Sequence, residues 1–508
     1  MSTASLGSSP TVVWFRRDLR VHDHPALMDA AARGPIAPLF VLDPAILTGR
    51  FASPNRTSFL LDAIDSLASA LAERGARLSV RVGRPGDVVP AFAREVSASM
   101  VVVSRDYTPF GRRRDAAVAG VLEADGVDFV VHPGLLATEP EATVTREGRP
   151  SRMFTPFLRR WMAAERRGFL PAPVRLLVPT DSVGPALPSR HGGVRGLDSV
   201  AALGLEGPTA DPHHLPSSGE DAARRRLEAW LAAGPDGGPT AYSRRRDQLD
   251  DAGGGTSRLG PDLRFGLLSP TEVVARALST DGGSVGSIRF VSELAWRDFY
   301  AHILFHDPDL ARAPFQRRYA DVPWPGGGLG EPLTSPTSAG PAQAWRAGQT
   351  GYPIVDAGMR QLMASGYMHN RARMVVASFL TKDLLVDWRV GEAHFMRHLL
   401  DGDPASNLGG WQWAASVGTD AQPYFRVFNP VTQARRFDPE GGYVRRWVPE
   451  LLRVPTARIH EPWTMTPDQQ SQADCRIGTD YPHPIVDHAE ARLRAIAWFA
   501  GQRSASSG

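Results

Sequence analysis

The amino-acid sequence predicts an α/β domain with a doubly wound parallel sheet, followed by a mainly α-helical domain. Five short apolar runs alternate with amphipathic stretches between residues 11 and 132. Residues from about 139 to 218 are rich in Pro, Gly and Ser and show no sustained periodicity. Beyond Glu220 the apolar pattern takes a helical period. We therefore expect domains at 10–138 and 219–501, joined by a connector at 139–218.

The first domain is predicted from five strands and the helices between them. Short apolar runs rich in Val, Ile and Phe are typical of strands buried on both faces of a parallel sheet. We expect strands at 11–15, 36–43, 77–82, 100–104 and 127–132. We expect helices at 25–32, 55–72, 87–96 and 112–124. The first crossover contains no GxGxxG pattern, so a dinucleotide fingerprint is absent from it.

The connector and the second domain contain mostly helical signals. A short helix is predicted at 154–166 within the connector. Ser269-Pro270-Thr271-Glu272 has the pattern of a capping box with proline at N1, and predicts a helix that ends near Leu278. Further helices are predicted at 288–305, 354–365, 370–387 and 392–400. The Gly/Pro/Ser-rich stretch 325–341 interrupts them and predicts an exposed loop.

Composition limits the class of protein and its compartment. A hydrophobic content of 42% with 22% charged residues is typical of a globular protein. The N-terminal residues have neither a charged n-region nor an apolar h-region, so we expect a cytoplasmic protein without membrane association. The single cysteine, Cys475, excludes an internal disulfide framework and a Cys-rich zinc site, and no metal is expected. We also expect a monomer.

The basic residues indicate anionic partners only weakly. The formal net charge is +3, and Lys382 is the single lysine. Arginine favours phosphate because its planar fork donates two parallel hydrogen bonds. Three arginine triplets occur, at 112–114, 224–226 and 244–246. A triplet of this kind is more often a solvated helix face than a nucleic-acid contact.

The segment 401–430 carries the strongest chemical signal. It places Asp401, Asp403 and Asn407 close to two tryptophans, Trp411 and Trp413, within an apolar and helical setting. Burial of these polar side chains without partners costs several kcal/mol each, on the order of the desolvation penalty of a polar group. We therefore expect a ligand with many donors and acceptors against them.

The glycine-rich segment 253–270 indicates an anion site. Its glycines let the backbone come close to a ligand, and Thr256 and Ser257 offer hydroxyls and amides near a helix start, with Arg258 beside them. From composition alone, an ordinary glycine turn is an equally good interpretation.

These motifs resemble the DNA photolyase/cryptochrome family, and in particular its class I enzymes, which split cyclobutane pyrimidine dimers. The resemblance covers residues 11–500 and includes WFRRDLRVHDHPAL at 14–27, GGGTSRLGPDLRFGLLSP at 253–270 and the segment 401–430. Taken alone, the first 135 residues would equally suit a generic nucleotide-binding α/β domain.

The resemblance implies an FAD-binding helical domain and names its residues. The TSRLS-type segment of the family, which holds the FAD pyrophosphate, corresponds to 256–260, with glycine in place of the final serine. The flavin-contacting residues implied by the resemblance are Tyr242, Thr256, Ser257, Arg258, Leu259, Gly260, Arg373, Asp401, Gly402, Asp403 and Asn407. Arg373 corresponds to an arginine that pairs with the carboxylate equivalent to Asp401.

The resemblance also implies residues that face the lesion in DNA. Glu293 would hydrogen-bond a thymine edge and Trp296 would stack on the dimer. The other substrate-side residues are Arg246, Asn370, Met374 and Trp413. Simpler interpretations are an i,i+4 surface pair for Glu293 and Arg297, and ordinary packing for Trp296 and Met374.

Asn407 and three tryptophans carry the predicted redox function. A neutral amide beside flavin N5 stabilises the reduced cofactor without bringing an ionisable proton, and plant-type cryptochromes usually have aspartate there. Trp411, Trp388 and Trp324 correspond to an electron-transfer chain from flavin to surface, with a long insertion after Trp324. The alternatives are a structural hydrogen bond for Asn407 and aromatic core for the tryptophans.

Phe110 and Gly111 bear on a second, light-harvesting chromophore. Folate-binding members of the family have Asn-Glu at this place, so the resemblance favours 8-hydroxy-5-deazaflavin over a folate. An empty pocket or one that takes a flavin are the alternatives. Taken together, these features predict light-driven repair of cyclobutane pyrimidine dimers in DNA by electron transfer from excited reduced FAD. A cryptochrome-like photoreceptor without repair activity is the alternative.

Overall fold

The computed structural model describes residues 9–178, 204–250, 254–328 and 340–505, with side chains to Gln502. By contact they form two compact units. The first contains 1–208, 216–243 and 257–308, and the second contains 209–215, 244–256 and 309–508. The functional division at 139 and 219 stays a prediction. Parts of the predicted connector (179–203) and of the predicted loop (329–339) lie outside the described residues.

The first unit is built on a five-stranded parallel sheet with the order β3-β2-β1-β4-β5. The strands are β1 (Thr11–Phe15), β2 (Ile36–Leu42), β3 (Ser79–Val82), β4 (Met100–Ser104) and β5 (Asp128–His132). All four pairings are parallel, which confirms the predicted doubly wound domain. Val12, Leu39 and Val101 are fully buried in its core because both faces of the central strands are covered.

The helices of the first unit include all of those predicted within it, together with several short ones that were not predicted. In the α/β part they are Pro25–Arg33, Pro44–Leu47, Pro54–Ala72, Pro85–Glu95 and Pro109–Ala124. Farther along the chain they are Phe154–Ala163, Glu220–Leu231, Gly260–Arg264, Pro270–Ser279 and Val285–His306, with Gly238–Arg245 at the unit boundary. Ser269 caps its helix as predicted, but the carboxylate of Glu272 pairs with Arg224 and Arg276. The reciprocal half of the expected capping box is therefore replaced by ion pairs.

The loop after β1 is tied to the segment at 265–266. The guanidinium of Arg20 is buried and donates to the carbonyls of Gly266 at 3.0 Å and Gly134 at 3.2 Å. Gly266 has φ +64°, and a Cβ there would lie 1.9 Å from the carbonyl oxygen of Arg17. Only glycine permits this approach, so residues distant in sequence are held together at the carboxyl edge of the sheet.

The second unit is mainly helical. Its helices are Pro341–Ala347, Pro353–Ser365, Asn370–Ser378, Trp388–His398, Pro404–Ala414, Pro430–Phe437, Gly442–Trp447, Pro467–Ala473 and His488–Ala505. In the described part of the chain, no helix is long and apolar enough to span a bilayer.

The helix expected at 370–387 is interrupted, and the prediction is wrong there. It ends at Ser378 and continues as one π-helical turn, Phe379–Asp383, in which the amide of Leu384 bonds the carbonyl of Phe379. Leu385 then has φ +51°, which ends the turn. The extra residue buries Lys382, whose ammonium donates to the carbonyl of Arg426 at 3.0 Å. Burial lowers the pKa of Lys382 to about 7.

Candidate functional site

Asp403 caps the helix that carries two of the predicted redox residues, Asn407 and Trp411. The helix is Pro404–Ala414, with proline at its first position. The carboxylate of Asp403 accepts from the amides of Ala405 and Ser406 at 3.1 Å each. These two amides would otherwise be unsatisfied at a helix N-terminus, so Asp403 fixes where the helix starts.

Asp401 is paired with Arg373, which confirms the predicted contact. One guanidinium nitrogen of Arg373 lies 2.9 and 3.1 Å from the two carboxylate oxygens of Asp401. The Nε of Arg373 donates to the carbonyl of Met368 at 2.8 Å. The guanidinium is thus held from both sides, and the ion pair has a fixed direction.

Asn407 is oriented by Glu392. Its side chain is 8% exposed, and its Nδ2 donates to the backbone carbonyl of Glu392 at 3.0 Å and to a carboxylate oxygen of Glu392 at 3.1 Å. Both amide protons are engaged, so Oδ1 is the end of the amide that accepts. Asp401, Asp403 and Asn407 therefore each have at least one protein partner, and the ligand expected against them stays a prediction at this point.

Trp411 is buried between two helices. It lies one helical turn after Asn407 and is 2% exposed. Its ring packs so closely on Gly391 that a Cβ there would lie 2.0 Å from the indole. It also makes edge contacts with Phe395 and Trp345, at ring-centroid distances of 4.9 and 6.0 Å. Trp411 thus connects its own helix to Trp388–His398.

Trp388 and Trp324 differ from their predicted positions. Trp388 is the first residue of its helix, whereas the sequence predicted it at a helix end; Asp387 is the cap. Trp324 is 8% exposed, so the expected surface position is wrong for this residue. The loop after Trp324 bonds the segment before Trp388, through Gly326 N to Leu385 O and Asp387 N to Gly327 O at 3.0 Å each. Two backbone hydrogen bonds thus join the two tryptophan-bearing segments.

The histidine next to this aromatic group is neutral. His394 contacts Trp345, at a ring-centroid distance of 5.5 Å, and Trp345 contacts Trp411. Burial lowers the pKa of His394 well below its usual range. A neutral imidazole adds no positive charge near Trp411. A positive charge there would disfavour the oxidised indole.

Three predicted lesion-side residues of the second unit lie on helices, and Arg246 follows the end of one. Asn370 is exposed, and its amide lies 3.9 Å from the sulfur of Met374, one turn away on Asn370–Ser378. Trp413 is partly exposed. Arg246 lies 3.8 Å from Asp247, whose carboxylate also pairs with Arg371 at 3.0 Å.

The glycine-rich segment has a strained backbone and only a short helix. Gly254 has φ +79° and Arg258, which is exposed, has φ +52°. The helix Gly260–Arg264 follows, with Leu259 rather than Thr256 or Ser257 at its start. The hydroxyl of Ser257 accepts from the amide of Leu259 at 3.4 Å. The expected helix-start anion site therefore lacks a full helix behind it, and the anion-binding role stays a prediction.

Tyr242 and Glu293 lie in the first unit with defined partners. Tyr242 makes edge contacts with Phe290 and Trp230, at ring-centroid distances of 5.4 and 6.1 Å. Glu293 pairs with Arg289 at 3.3 Å, one turn before it, and is partly exposed. The alternative pair with Arg297 is wrong because Arg297 pairs with the adjacent Asp298 at 3.2 Å.

Trp296 is stacked on Phe154. The ring centroids are 3.7 Å apart and the planes differ by 10°. Phe299 makes an edge contact with Trp296 at 5.5 Å. The indole is partly exposed, so one face is supported by aromatic rings while the residue remains accessible. A supported, half-open aromatic ring is the arrangement that stacks on a nucleic-acid base.

Asp298 anchors the helix that carries Glu293 and Trp296. Its buried carboxylate accepts from Trp161 Nε1 at 3.0 Å and from the amides of Ala137 and Thr138 at 2.9 and 3.2 Å. Burial raises the pKa of Asp298. The sequence analysis did not single out this residue, although an aspartate between Arg and Phe in an otherwise buried helix was a usable signal.

A cleft opens in the first unit at the carboxyl ends of β1 and β2. Its volume is about 790 Å³ including the open mouth. The lining residues come from distant parts of the chain, and include Trp14, Arg16, Arg17, Phe40, Asp43, Ile46, Phe51, Arg56, Arg114, Arg264 and Phe265. Five arginines and one carboxylate line it, so it suits an aromatic ligand with an anionic group.

The two residues that bear on a second chromophore in the sequence lie outside the lining of this cleft. Phe110 is 42% exposed and, like Gly111, does not line the cleft. Arg114, one turn farther along Pro109–Ala124, does line it. The Arg16–Arg17 pair directly after a buried strand was the available signal, because ligands of open α/β sheets bind at carboxyl ends of strands.

The arginine triplets are largely used inside the first unit. Arg224 and Arg226 pair with Glu272 and Asp262, and Arg114 pairs with Asp106 and Asp115. These pairs give Arg114, Arg224 and Arg226 structural roles. The described residues also contain no cluster of three or more His, Cys, Asp or Glu side chains that could hold a metal ion.

Comparison with known proteins identifies two family matches within the chain. The DNA photolyase model matches residues 11–176, and the model for the FAD binding domain of DNA photolyase matches residues 290–501. A deoxyribodipyrimidine photo-lyase of Alkalihalophilus pseudofirmus is 38% identical over 507 residues, covering 98% of this chain and 99% of the relative.

Solved structures of similar fold include photolyases and a cryptochrome. A class III photolyase from Agrobacterium tumefaciens has a TM-score of 0.87 and 35% identity, covering 99% of both chains. A cryptochrome from Synechocystis has a TM-score of 0.83 and 29% identity, covering 97% of this chain and all of that one. An archaeal photolyase from Sulfolobus tokodaii, described with two FAD molecules, has a TM-score of 0.77 and 31% identity, covering 97% of this chain and all of that one.

Proposed function

Because the chain belongs to the DNA photolyase family, we propose that it uses light to split cyclobutane pyrimidine dimers in DNA. Family membership makes it a DNA-repair lyase with an FAD-binding domain. The finer assignment to cyclobutane dimers, rather than to another photoproduct, rests on one observation. Asn407 is a buried neutral amide, held so that its oxygen is the accepting end. The match to a class III structure leaves the class I subdivision a prediction.

The residues of the second unit fit a flavin. Asn407 Oδ1 would accept from the N5–H of a reduced isoalloxazine, and its neutrality keeps a mobile proton away from that atom. The Arg373–Asp401 pair would add a fixed donor and acceptor, and Asp403 would fix the start of the helix that carries Asn407. The remaining predicted FAD residues are Tyr242, Thr256, Ser257, Arg258, Leu259, Gly260 and Gly402. When bound in its fully reduced form, FAD supplies the photoexcited electron that opens the dimer.

Recognition of the lesion would use an aromatic platform and a carboxylate in the first unit. Trp296 is supported from behind by Phe154 and would stack on the dimer. Glu293, held by Arg289, would accept a hydrogen bond from a thymine edge. A dimer pairs and stacks badly, so its extrusion from the duplex costs less than that of normal bases. Asn370, Met374, Trp413 and Arg246 would serve as further contacts in the second unit.

The tryptophans would return an oxidised flavin to its reduced form and would take no part in the repair reaction itself. Trp411, Trp388 and Trp324 would pass one electron inward to an oxidised, photoexcited flavin. Their contiguity within the second unit supports this role, since Trp411 packs on the helix that Trp388 begins, and the Trp324 loop bonds the segment before Trp388.

The cleft of the first unit would hold a light-harvesting chromophore. Its aromatic and arginine side chains suit an aromatic chromophore with an anionic group. The preference for 8-hydroxy-5-deazaflavin over a folate rests on Phe110 and Gly111, which stand where folate-binding members of the family have Asn-Glu. A folate extracted as the native second chromophore would contradict this assignment.

A photoreceptor without repair activity is the second candidate because a cryptochrome shares the fold. The two functions are distinguished by whether the protein repairs damaged DNA in light, and by which photoproduct it repairs. Reduced, FAD-replete protein is incubated in blue light with oligonucleotides that carry either one cyclobutane dimer or one (6-4) photoproduct. We expect restoration of the cyclobutane dimer alone; restoration of only the (6-4) product would show that the substrate is wrong, and restoration of neither would favour the photoreceptor.

A further inference from the structure

An aromatic cluster surrounds Trp324 in the second unit. Trp324 is 8% exposed, and its ring centroid lies 4.8 Å from that of Trp498, with planes at 42°. Phe499 contacts both indoles, at 6.1 and 4.7 Å. Trp498 lies on the helix His488–Ala505 and is partly exposed, unlike Trp324 and Phe499. The cluster therefore leads from a buried indole to an accessible one.

In the described part of the chain, the aromatic rings in contact with Trp324 are those of Trp498 and Phe499. Phenylalanine is very hard to oxidise, whereas the indole of tryptophan loses an electron far more readily. Tyr319 is buried at 3% exposure, and Tyr424 contacts Phe499 rather than Trp324. Trp498 is thus the oxidisable ring that joins Trp324 to solvent.

We propose that Trp498 is the solvent-side terminus of the tryptophan chain, the residue at which external reductant enters. This inference rests on the proposed photoreduction through Trp411. One electron leaves Trp411 for the photoexcited oxidised flavin, and the resulting electron hole passes through Trp388 and Trp324 to Trp498. The Trp498 radical cation loses its indole proton to water. A thiol in solution then returns one electron and one proton, so the chain ends unchanged and the flavin has gained one electron.

The exposure of Trp498 gives this step its physical advantage. An electron hole that stops on Trp324, which is only 8% exposed, has less access to water and reductant than one on Trp498, and more readily returns to the flavin. On Trp498 the proton leaves to solvent, which makes the return transfer uphill. The charge-separated state then lasts long enough for a thiol to react.

The test compares Trp498→Phe with the parent and with Trp463→Phe. Trp463 is a matched control because it is also a partly exposed tryptophan of the second unit, packed on Tyr352 at 5.3 Å. Transient absorption after a flash on oxidised, FAD-loaded protein measures the lifetime of the tryptophan radical as thiol concentration is varied. We expect Trp498→Phe to lose the thiol-dependent phase and most of the stable photoreduction, and Trp463→Phe to retain both.

A second measurement uses the unaltered protein, so it does not depend on the variant folding. The parent is illuminated with a water-soluble nitrone radical trap, and the adduct is located by peptide mass spectrometry. An adduct on Trp498 supports the proposal, and an adduct on Trp324 or on another aromatic overturns it. Normal thiol dependence in Trp498→Phe also overturns it.

Failure of this inference is distinguishable from failure of the proposed function. If Trp411→Phe photoreduces like the parent, the whole tryptophan chain is unused. If Trp411→Phe stops photoreduction while Trp498→Phe does not, only the terminus is wrong.

Discussion

The segment at 401–413 and the cleft over β1 and β2 use polar side chains in opposite ways. In the segment, Asp401, Asp403 and Asn407 are held by a guanidinium, two helix amides and Glu392. In the cleft, arginines from distant parts of the chain line an open space of about 790 Å³. The first arrangement is preorganised around one geometry, whereas the second offers a pocket with a general chemical preference.

The difference indicates different tasks. Electron transfer and control of a proton at one flavin atom need groups that do not move, because a displaced donor changes the redox balance. Light harvesting needs only that a chromophore be held at a suitable distance. We therefore expect changes in the segment to alter chemistry, and changes in the cleft to alter only how much light is used.

Trp411→Phe should have the largest effect. Removal of the first tryptophan takes away the electron source nearest the helix of Asn407, so photoreduction of oxidised flavin in the presence of thiol should nearly disappear. Repair by enzyme reduced chemically beforehand should stay normal, since it does not use the chain. Trp388→Phe should behave alike, and normal photoreduction in both variants would show that the chain is not used.

Trp296→Ala should weaken binding of dimer-containing DNA by about 1–3 kcal/mol, the usual loss for an aromatic side chain that stacks on a base. The binding constant is measured against the same duplex without the lesion. Tyr300→Phe is a control on the same helix, since it retains the ring next to Trp296. Unchanged lesion affinity in Trp296→Ala would make the stack on Phe154 purely structural.

Raised salt should also weaken this binding if arginines contact the phosphates. A salt-independent affinity would contradict that part of the proposal. Glu293→Ala should lower repair per absorbed photon more than it lowers FAD content, because its proposed bond is to the substrate.

Asp403→Ala should lower the free energy of unfolding by about 1 kcal/mol, since the variant removes a helix cap that serves two amides. FAD content should fall as well if the capped helix start faces the cofactor. Thr466→Ala removes a comparable cap in the same unit, from the helix Pro467–Ala473, and serves as the control. Equal loss of FAD in both variants would reduce Asp403 to a purely structural cap.

Ile46→Trp should have the smallest effect on repair. Ile46 lines the cleft and is 46% exposed, so a larger side chain would block the space with little strain. We expect loss of the second chromophore and slower repair in limiting light, with unchanged repair when FAD itself is excited. Val121→Trp, at an exposed position outside the cleft lining, is the control. A chromophore that remains in Ile46→Trp would place its site elsewhere.

The same contrast explains how much the sequence could predict. The strands were placed to within two residues because apolar runs have a local cause, as in 77–82 against Ser79–Val82. The cap at Asp403 is a short-range pattern, and the pairing of Arg373 with Asp401 follows from the family resemblance, so both could be read from the sequence. The full lining of the cleft could not be predicted, since it depends on Arg20 and Gly266 holding residues that are 246 positions apart, although Arg16 and Arg17 after β1 were a usable local signal.

Side-chain partners were the least predictable part of the site. Glu293 had two arginines at helical spacing, and the choice of Arg289 depends on Arg297 being taken by Asp298. The π-helical turn at Phe379–Asp383 could not be recognised from the spacing of apolar residues. One inserted residue shifts this spacing by one position, and the apolar pattern still looks helical on both sides of the turn. The burial of Trp324 likewise depends on Trp498, which lies far along the chain.

The central claim is tested most directly by repair in light and in darkness. Purified protein whose absorption spectrum shows bound, fully reduced FAD is mixed with an oligonucleotide that carries one thymine dimer, and half is exposed to blue light. We expect restored thymines in the illuminated half alone, and in Trp411→Phe as much as in the parent. Absence of repair in light, or equal repair in darkness, would contradict the account.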